Sequence, residues 1–67
     1  MAWYAVDLDG SECRYEYKPV RTTDIWLLDG DGNIDELPKG TIKKLTGKRL
    51  KWEDEPVELI YRPVKLI

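Results

Sequence analysis

The sequence predicts a mainly β fold, either a small antiparallel sheet or a partly open, SH3-like barrel, with five or six short strands and one short helical turn at about residues 41–46. Three observations support this prediction. Apolar and polar residues alternate with a period of two in several short segments, as in half-buried strands. Turn-forming residues separate these segments at the intervals found in all-β barrels. The 67 residues have room for one hydrophobic core, so we expect a single small domain over residues 1–67.

The first two strands are expected to form a hairpin. Residues 3–8 alternate between two faces, and Asp9 and Gly10 tolerate the positive φ angles of a tight turn. Residues 12–18 are the predicted return strand, because aromatic and charged side chains alternate along them. Cys13 lies on the apolar side of that strand. Because free cysteine behaves as a small hydrophobe, we expect Cys13 to be a buried packing residue.

The middle of the chain predicts two more strands. Pro19 lacks an N–H group, so residues 20–23 are expected to form a connection or a sheet edge. Residues 24–28 follow as a third strand with apolar side chains on both faces, which predicts a central position in the sheet. Residues 34–37 are expected to form a short fourth strand that ends at Pro38.

The helical turn is predicted at residues 41–46. Ile42 and Leu45 are three positions apart and therefore share one face of a helical turn. Gly47 stands where a left-handed residue ends many helices. Thr41 is the expected cap at the beginning of the turn.

The last part of the chain is predicted to return to strand structure. Leu50 and Trp52 alternate as in a strand, and residues 53–56 have the composition of a turn. Residues 57–61 alternate as a final strand. An alternative makes Pro56 the first residue of a short helix. The alternation favours the strand.

Charge is segregated along the chain. Residues 39–51, here called the basic segment, hold six of the eleven basic residues and no acid, whereas the first 38 residues hold nine acids and three bases. Segregated positive charge can mark a surface for an anionic partner such as nucleic acid. The bases of a single strand could then stack on exposed tryptophan rings of the protein. The candidate binding residues are Lys39, Lys43, Lys44, Lys48, Arg49, Lys51, Trp26 and Trp52.

Three considerations weigh against nucleic acid as the main partner. The six cations are also expected to be solvated or to pair with the acids of the first 38 residues. The net charge is −2, whereas nucleic-acid-binding domains tend to be basic. Core packing is the usual role of tryptophan in a chain this short, since each ring buries a large apolar area.

The composition argues against catalysis. The chain has no histidine, which removes the commonest general base and the commonest metal ligand. Ser11 and Cys13 have no base near them in sequence, and the acidic run 53–55 lies in a turn where carboxylates are solvated. We therefore expect that the protein is not an enzyme and that it binds neither a cofactor nor a metal ion. A single cysteine and the absence of a signal-like or membrane-spanning segment predict a cytoplasmic protein without membrane contact.

The loop of residues 29–35 offers oxygen ligands at alternate positions, as a calcium-binding EF-hand loop does. Ile34 stands where such a loop needs glycine, and Gly40 stands where it needs the bidentate glutamate. No helices are predicted on either side. An Asp- and Gly-rich hairpin loop is therefore the preferred interpretation.

Several short motifs occur in a recognisable order. They are Trp3-Tyr4, Asp9-Gly10, Lys18-Pro19, Trp26, Leu37 to Ile42, Leu45 to Gly47 and Trp52 to Val57. In this order they resemble small uncharacterised proteins from bacteriophages and their bacterial hosts, and the likeness spans most of the chain. The resemblance implies a small accessory binding module. It brings no activity and no site residue with it.

The sequence favours a non-catalytic binding module. The first hypothesis is binding to an unknown protein partner, or self-association, through exposed aromatic residues or a sheet edge, because a sheet of this size leaves an edge that can pair. The alternative is nucleic-acid binding through the basic segment.

Overall fold

The computed structural model describes residues 2–59. They form six strands and one helix in the order β1 (Ala2–Val6), β2 (Glu12–Tyr15), β3 (Val20–Arg21), β4 (Trp26–Leu27), β5 (Ile34–Leu37), α1 (Thr41–Thr46) and β6 (Val57–Leu59). Four strands form an antiparallel sheet in the order β5-β2-β1-β6, and β3 pairs with β4 in a separate two-stranded ribbon. Over this part of the chain the sheet is open. The mainly β prediction is confirmed, with the sheet rather than the barrel.

β1 is one of the two inner strands of the sheet, because it pairs with β2 on one side and with β6 on the other. Its five residues are all apolar, which suits a strand that is covered on both faces. Tyr4 and Val6 face α1, and this side is here called the helix face. Trp3 and Ala5 face the ribbon, and this side is here called the ribbon face. The predicted hairpin is confirmed, but its strands end earlier than expected, β1 at Val6 rather than at residue 8 and β2 at Tyr15 rather than at residue 18.

α1 covers the helix face through one side chain. Ile42 is 1% exposed and packs against Tyr4 and Val6. The helix ends as predicted at Gly47, whose φ of 77° is left-handed and whose N–H donates to the Lys43 carbonyl at 2.9 Å. The expectation for Leu45 is wrong, since that side chain is 47% exposed. The helix has only six residues, and Ile42 is the one that it buries, so Leu45 remains at the surface.

The beginning of α1 is capped from a distant strand. Gly40, with a φ of 92°, is the N-cap residue and makes no side-chain cap. The Glu12 carboxylate in β2 instead accepts from the N–H groups of Gly40, at 2.7 Å, and Ile42, at 2.8 Å. The prediction that Thr41 caps the helix is wrong, because its hydroxyl donates to the Pro38 carbonyl at 2.6 Å.

Trp26 covers the ribbon face. Its side chain is 4% exposed and packs against Ala5, Cys13 and Tyr15. Its indole Nε1–H donates to the Val6 carbonyl at 3.0 Å, and the Tyr15 hydroxyl donates to the Trp26 carbonyl at 3.2 Å. Cys13 is buried, as expected, and burial raises the pKa of its thiol.

The predicted central strand at residues 24–28 is wrong. Only Trp26 and Leu27 form a strand there, and they pair with β3 alone. Ile25 and Leu27 are 38% and 42% exposed, so the segment is covered on one side only. The inner positions belong to β1 and β2, and the five successive apolar residues of β1 contribute to both buried faces.

The prediction of a strand through Leu50 and Trp52 is also wrong. Residues 51–54 form a turn in which the Asp54 N–H donates to the Lys51 carbonyl at 3.0 Å. Pro56 precedes β6 directly, so the preferred strand interpretation is confirmed up to Leu59 and the helix alternative is wrong. The predicted continuation of this strand to Tyr61 lies outside the described residues.

Candidate interaction surfaces

β5 is an edge strand. Within residues 2–59 it pairs with β2 and with no other strand. The Glu16 N–H donates to the Asn33 carbonyl at 3.0 Å, which makes these two residues a hydrogen-bonded pair. Because such pairs alternate along an antiparallel ladder, Asp35 and Leu37 direct their backbone groups to β2. Ile34 and Glu36 therefore direct theirs outward.

The side chains of β5 lie near the surface. Ile34 is 43% exposed. Asp35 accepts from the Arg14 guanidinium at 2.7 Å, and this ion pair raises the pKa of Arg14. Both side chains of the pair are 51% exposed, so it contributes little to stability. Among the described residues β5 thus combines open backbone groups with two acidic side chains, those of Asp35 and Glu36.

The basic segment is exposed. Its six cations, Lys39, Lys43, Lys44, Lys48, Arg49 and Lys51, are all at the surface. In the described part of the chain none of their charged side-chain nitrogens lies within 4.0 Å of a carboxylate oxygen, since the ion pair there joins Arg14 to Asp35. The pairing with acids of the first 38 residues that the sequence suggested is absent from this region. Lys43 and Lys44 lie on α1, whereas Lys48 and Arg49 line a shallow depression near β6.

The two candidate tryptophans have different surroundings. Trp26 is buried, as core packing predicts, so its ring is not open to a nucleobase. Trp52 is partly buried and meets Trp26 edge to face, with 5.9 Å between the ring centroids. The Arg21 guanidinium lies 4.6 Å from the Trp26 centroid and 4.8 Å from the Trp52 centroid. Arg21 therefore takes up ring surface that stacking on a ligand would need.

Sequence reasoning missed Arg21. Besides its contacts with the two rings, its guanidinium donates to the carbonyls of Trp52, at 2.8 Å, and Asp54, at 3.2 Å. It thereby holds the turn at residues 51–54 against the ribbon. The partners are 31 and 33 positions away, and no local pattern marks a contact over that distance.

The side of the ribbon that faces away from the sheet is apolar. Ile25 and Leu27 flank the buried Trp26, so both point outward by the alternation of a strand. Val20 lies opposite Leu27 in the ribbon and is 47% exposed. Leu8 is 57% exposed and lines a depression together with Ile25. These four residues, Leu8, Val20, Ile25 and Leu27, are here called the outer apolar face.

Acidic groups lie beside the outer apolar face. Asp9 and Asp24 line the same depression as Leu8 and Ile25. Burial raises the pKa of Asp7, and the negative charges of Asp9 and Asp24 also raise it. The hydrogen bond that Asp7 accepts from the Trp26 N–H lowers this pKa but does not cancel the rise. In contrast, Asp9 is fully exposed, and a hydrogen bond from the Ser11 N–H at 2.9 Å lowers its pKa.

Within residues 2–59, no group of three or more His, Cys, Asp or Glu side chains is placed to hold a metal ion. The helix in this region is too short to cross a membrane. Comparison with protein-family models, curated proteins and solved structures found no match.

Proposed function

We propose that this chain is a non-catalytic protein-binding module of the cytoplasm, and that β5 contacts the partner by pairing with one of its strands. The observation that carries the proposal is the side of β5 that no strand within residues 2–59 covers, where Ile34 and Glu36 offer backbone donors and acceptors. An edge of this kind is a template for strand addition, in which main-chain hydrogen bonds supply affinity. β5 contains no proline and no lysine, two residues that block edges in other proteins.

The side chains of β5 favour a basic partner strand. Asp35 and Glu36 lie in the middle of the strand, and opposite charges on paired strands are favourable. A second copy of the chain fits poorly. An antiparallel pair of β5 strands that stays within the strand places Asp35 opposite Asp35, or Glu36 opposite Glu36, and like charges directly opposite are destabilising.

Hydrogen exchange with a designed peptide tests the proposal. The probe is a short peptide of alternating Lys and Val, and its control replaces each Lys with Glu. The Lys peptide should slow amide exchange at Ile34 and Glu36, whereas the Glu peptide should not. Unchanged exchange at both amides would overturn the proposal.

Two substitutions at one position separate the backbone contribution from the charge. Glu36→Pro removes an outward N–H without removing a bond to β2, and proline is tolerated at such edge positions. Glu36→Ala removes the charge and keeps the N–H. We expect Glu36→Pro to abolish protection by the Lys peptide and Glu36→Ala only to weaken it. Equal binding by the proline variant and the unchanged protein would contradict strand pairing.

A second candidate is an anionic partner such as single-stranded nucleic acid, bound by the basic segment. It is favoured by the six exposed cations that have no carboxylate within 4.0 Å in the described region. Their charge is therefore available to phosphates, whose contacts dominate nucleic-acid affinity. Trp26 cannot contribute a stacking surface, because it is buried.

Retention on single-stranded DNA tests the second candidate. Retention should fall steeply with salt, as counterion release requires, and should be lost when Lys43, Lys44, Lys48 and Arg49 are changed to Glu. Retention that is independent of salt, or complete in that variant, would exclude this function.

A further inference from the structure

A separate surface, the outer apolar face, has the character of a docking site. Its four members, Leu8, Val20, Ile25 and Leu27, are between 38% and 57% exposed. They come from the β1–β2 turn, both strands of the ribbon and the residue before β4. Soluble proteins rarely expose large apolar patches, and patches rimmed by polar residues often mark interaction sites.

The rim of this face determines the chemistry of the partner. Asp9 and Asp24 are exposed and line the depression that Leu8 and Ile25 share, which has a volume of about 210 Å³. Among residues 2–59 neither carboxylate has a cation within 4.0 Å. A partner segment that covers the apolar side chains would place its flanking residues next to these two carboxylates. Complementary positive charge would steer the encounter and fix the register.

The opposite side of the ribbon makes the surface rigid enough to recognise a partner. Trp26 anchors β4 to the sheet, and the Arg21 guanidinium lies against the rings of Trp26 and Trp52. The Leu8 N–H also donates to the Asp24 carbonyl at 3.0 Å, which ties the β1–β2 turn to the ribbon. The apolar side chains therefore project from a preformed surface, which lowers the cost of binding.

We infer that the outer apolar face binds a partner-protein segment that combines large apolar side chains with Lys or Arg. This surface is distinct from the β5 edge, and the inference does not depend on strand pairing there. Face-to-face association of two copies would bring Asp9 and Asp24 of both copies together. That arrangement is disfavoured by like-charge repulsion.

Peptide titrations followed by NMR test this inference. The first probe is an amphipathic peptide of Lys and Leu, the second replaces each Leu with Ser, and the third replaces each Lys with Glu. The Lys–Leu peptide should shift the methyl signals of Leu8, Val20, Ile25 and Leu27. The Lys–Ser and Glu–Leu peptides should bind at least about tenfold more weakly, because each lacks one half of the complement. Equal binding of the Lys–Leu and Glu–Leu peptides would overturn the inference.

Variants of the protein identify the surface that binds. The double variant Ile25→Ser/Leu27→Ser should lose about tenfold or more in affinity for the Lys–Leu peptide. Leu45→Ser is its matched control, since Leu45 is 47% exposed but lies on α1. The control should bind as the unchanged protein does. If the control loses binding and the ribbon variant keeps it, the docking surface is the basic helix and the inference is wrong.

The charge of the rim has its own test. Asp9→Asn/Asp24→Asn should weaken Lys–Leu binding and reduce its dependence on salt, whereas Asp29→Asn/Asp31→Asn should change neither. Sedimentation of the protein alone tests whether a second copy of the chain binds this face instead. Self-association that is removed by Ile25→Ser/Leu27→Ser would assign this face to copies of the chain and would overturn the inference.

Discussion

The two layers that cover the sheet are built in different ways. On the helix face, α1 contributes one buried side chain, Ile42, and receives its cap from Glu12. On the ribbon face, Trp26 is held by packing, by two hydrogen bonds of its own and by the Arg21 guanidinium. The helix is a local element with a tertiary cap. The ribbon is also a local hairpin, but the contacts that fix it to the sheet are distant in sequence.

This difference has a functional consequence. The outward side of α1 carries cations around the exposed Leu45, and the outward side of the ribbon carries aliphatic residues beside acids. The two covers therefore present opposite charge to solvent. Substitutions that affect one cover and spare the other distinguish their roles.

The largest effect is expected at Trp26. Trp26→Ala removes the ring that fills the ribbon face, and such truncations cost about 3–5 kcal/mol. Ile42→Ala removes the smaller anchor of α1 and should cost about 2–4 kcal/mol. Urea unfolding would compare the two variants, with Trp26→Leu as a milder substitution in case the alanine variant does not fold. A larger loss for Ile42→Ala than for Trp26→Ala would show that the helix, and not the ribbon, is the main cover.

The next effect concerns Arg21. Arg21→Ala loses the contacts with two rings and the hydrogen bonds to two carbonyls, and should cost about 1–2 kcal/mol. Arg21→Lys keeps the charge but not the planar fork, so we expect it to recover only part of the loss. Arg14→Ala is the matched control, because its exposed ion pair with Asp35 contributes little. Equal losses from Arg21→Ala and Arg14→Ala would contradict a role for Arg21 in holding the turn at residues 51–54.

A smaller effect is expected at Glu12, on the helix face. Glu12→Ala leaves the N–H groups of Gly40 and Ile42 without their acceptor, and loss of a cap costs about 1 kcal/mol. Glu12→Gln has one acceptor oxygen and should be intermediate. Amide exchange at Gly40 and Ile42 should accelerate in Glu12→Ala, while the Trp26 indole N–H stays protected. Faster exchange at the indole as well would show that the two covers are not independent.

The smallest effect is the pH dependence that Asp7 contributes. Burial is the main cause that raises the pKa of Asp7 above its ordinary value of 3.8. The folded protein therefore holds this proton more tightly than the unfolded chain does. Its contribution to stability is fully present below pH 3.8 and is lost as the pH rises through the raised value. In urea unfolding across this range, Asp7→Asn should gain stability relative to the unchanged protein as the pH rises. An opposite trend for Asp7→Asn would contradict the assignment.

Much of the fold was predictable from local patterns. The hairpin of β1 and β2 follows from alternation around Asp9-Gly10, and β5 and the end of α1 follow from Pro38 and Gly47. The prediction of strand positions was wrong where two segments were both apolar enough to occupy the inside of the sheet. Residues 25–28 are apolar and resemble a central strand, but β1 has the longer apolar run and takes an inner position of the sheet.

The candidate surfaces were less predictable. The exposure of the basic segment agrees with its composition, but the absence of ion pairs to it within residues 2–59 depends on where the acids of other segments lie. The contacts of Arg21 and Glu12 join residues about thirty positions apart, and no periodicity encodes them. The outer apolar face follows from the inward orientation of Trp26, which only the tertiary packing determines.

Acrylamide quenching of a variant whose single tryptophan is Trp26, made by Trp3→Phe and Trp52→Phe, tests the central claim most directly. If Trp26 packs against the sheet, its neighbours Ile25 and Leu27 must point outward and form the apolar face. We expect acrylamide to quench Trp26 far less in the folded variant than in the same variant unfolded by urea. Equal quenching in the folded and unfolded states would show that Trp26 is exposed, and would contradict both the ribbon cover and the docking surface built on it.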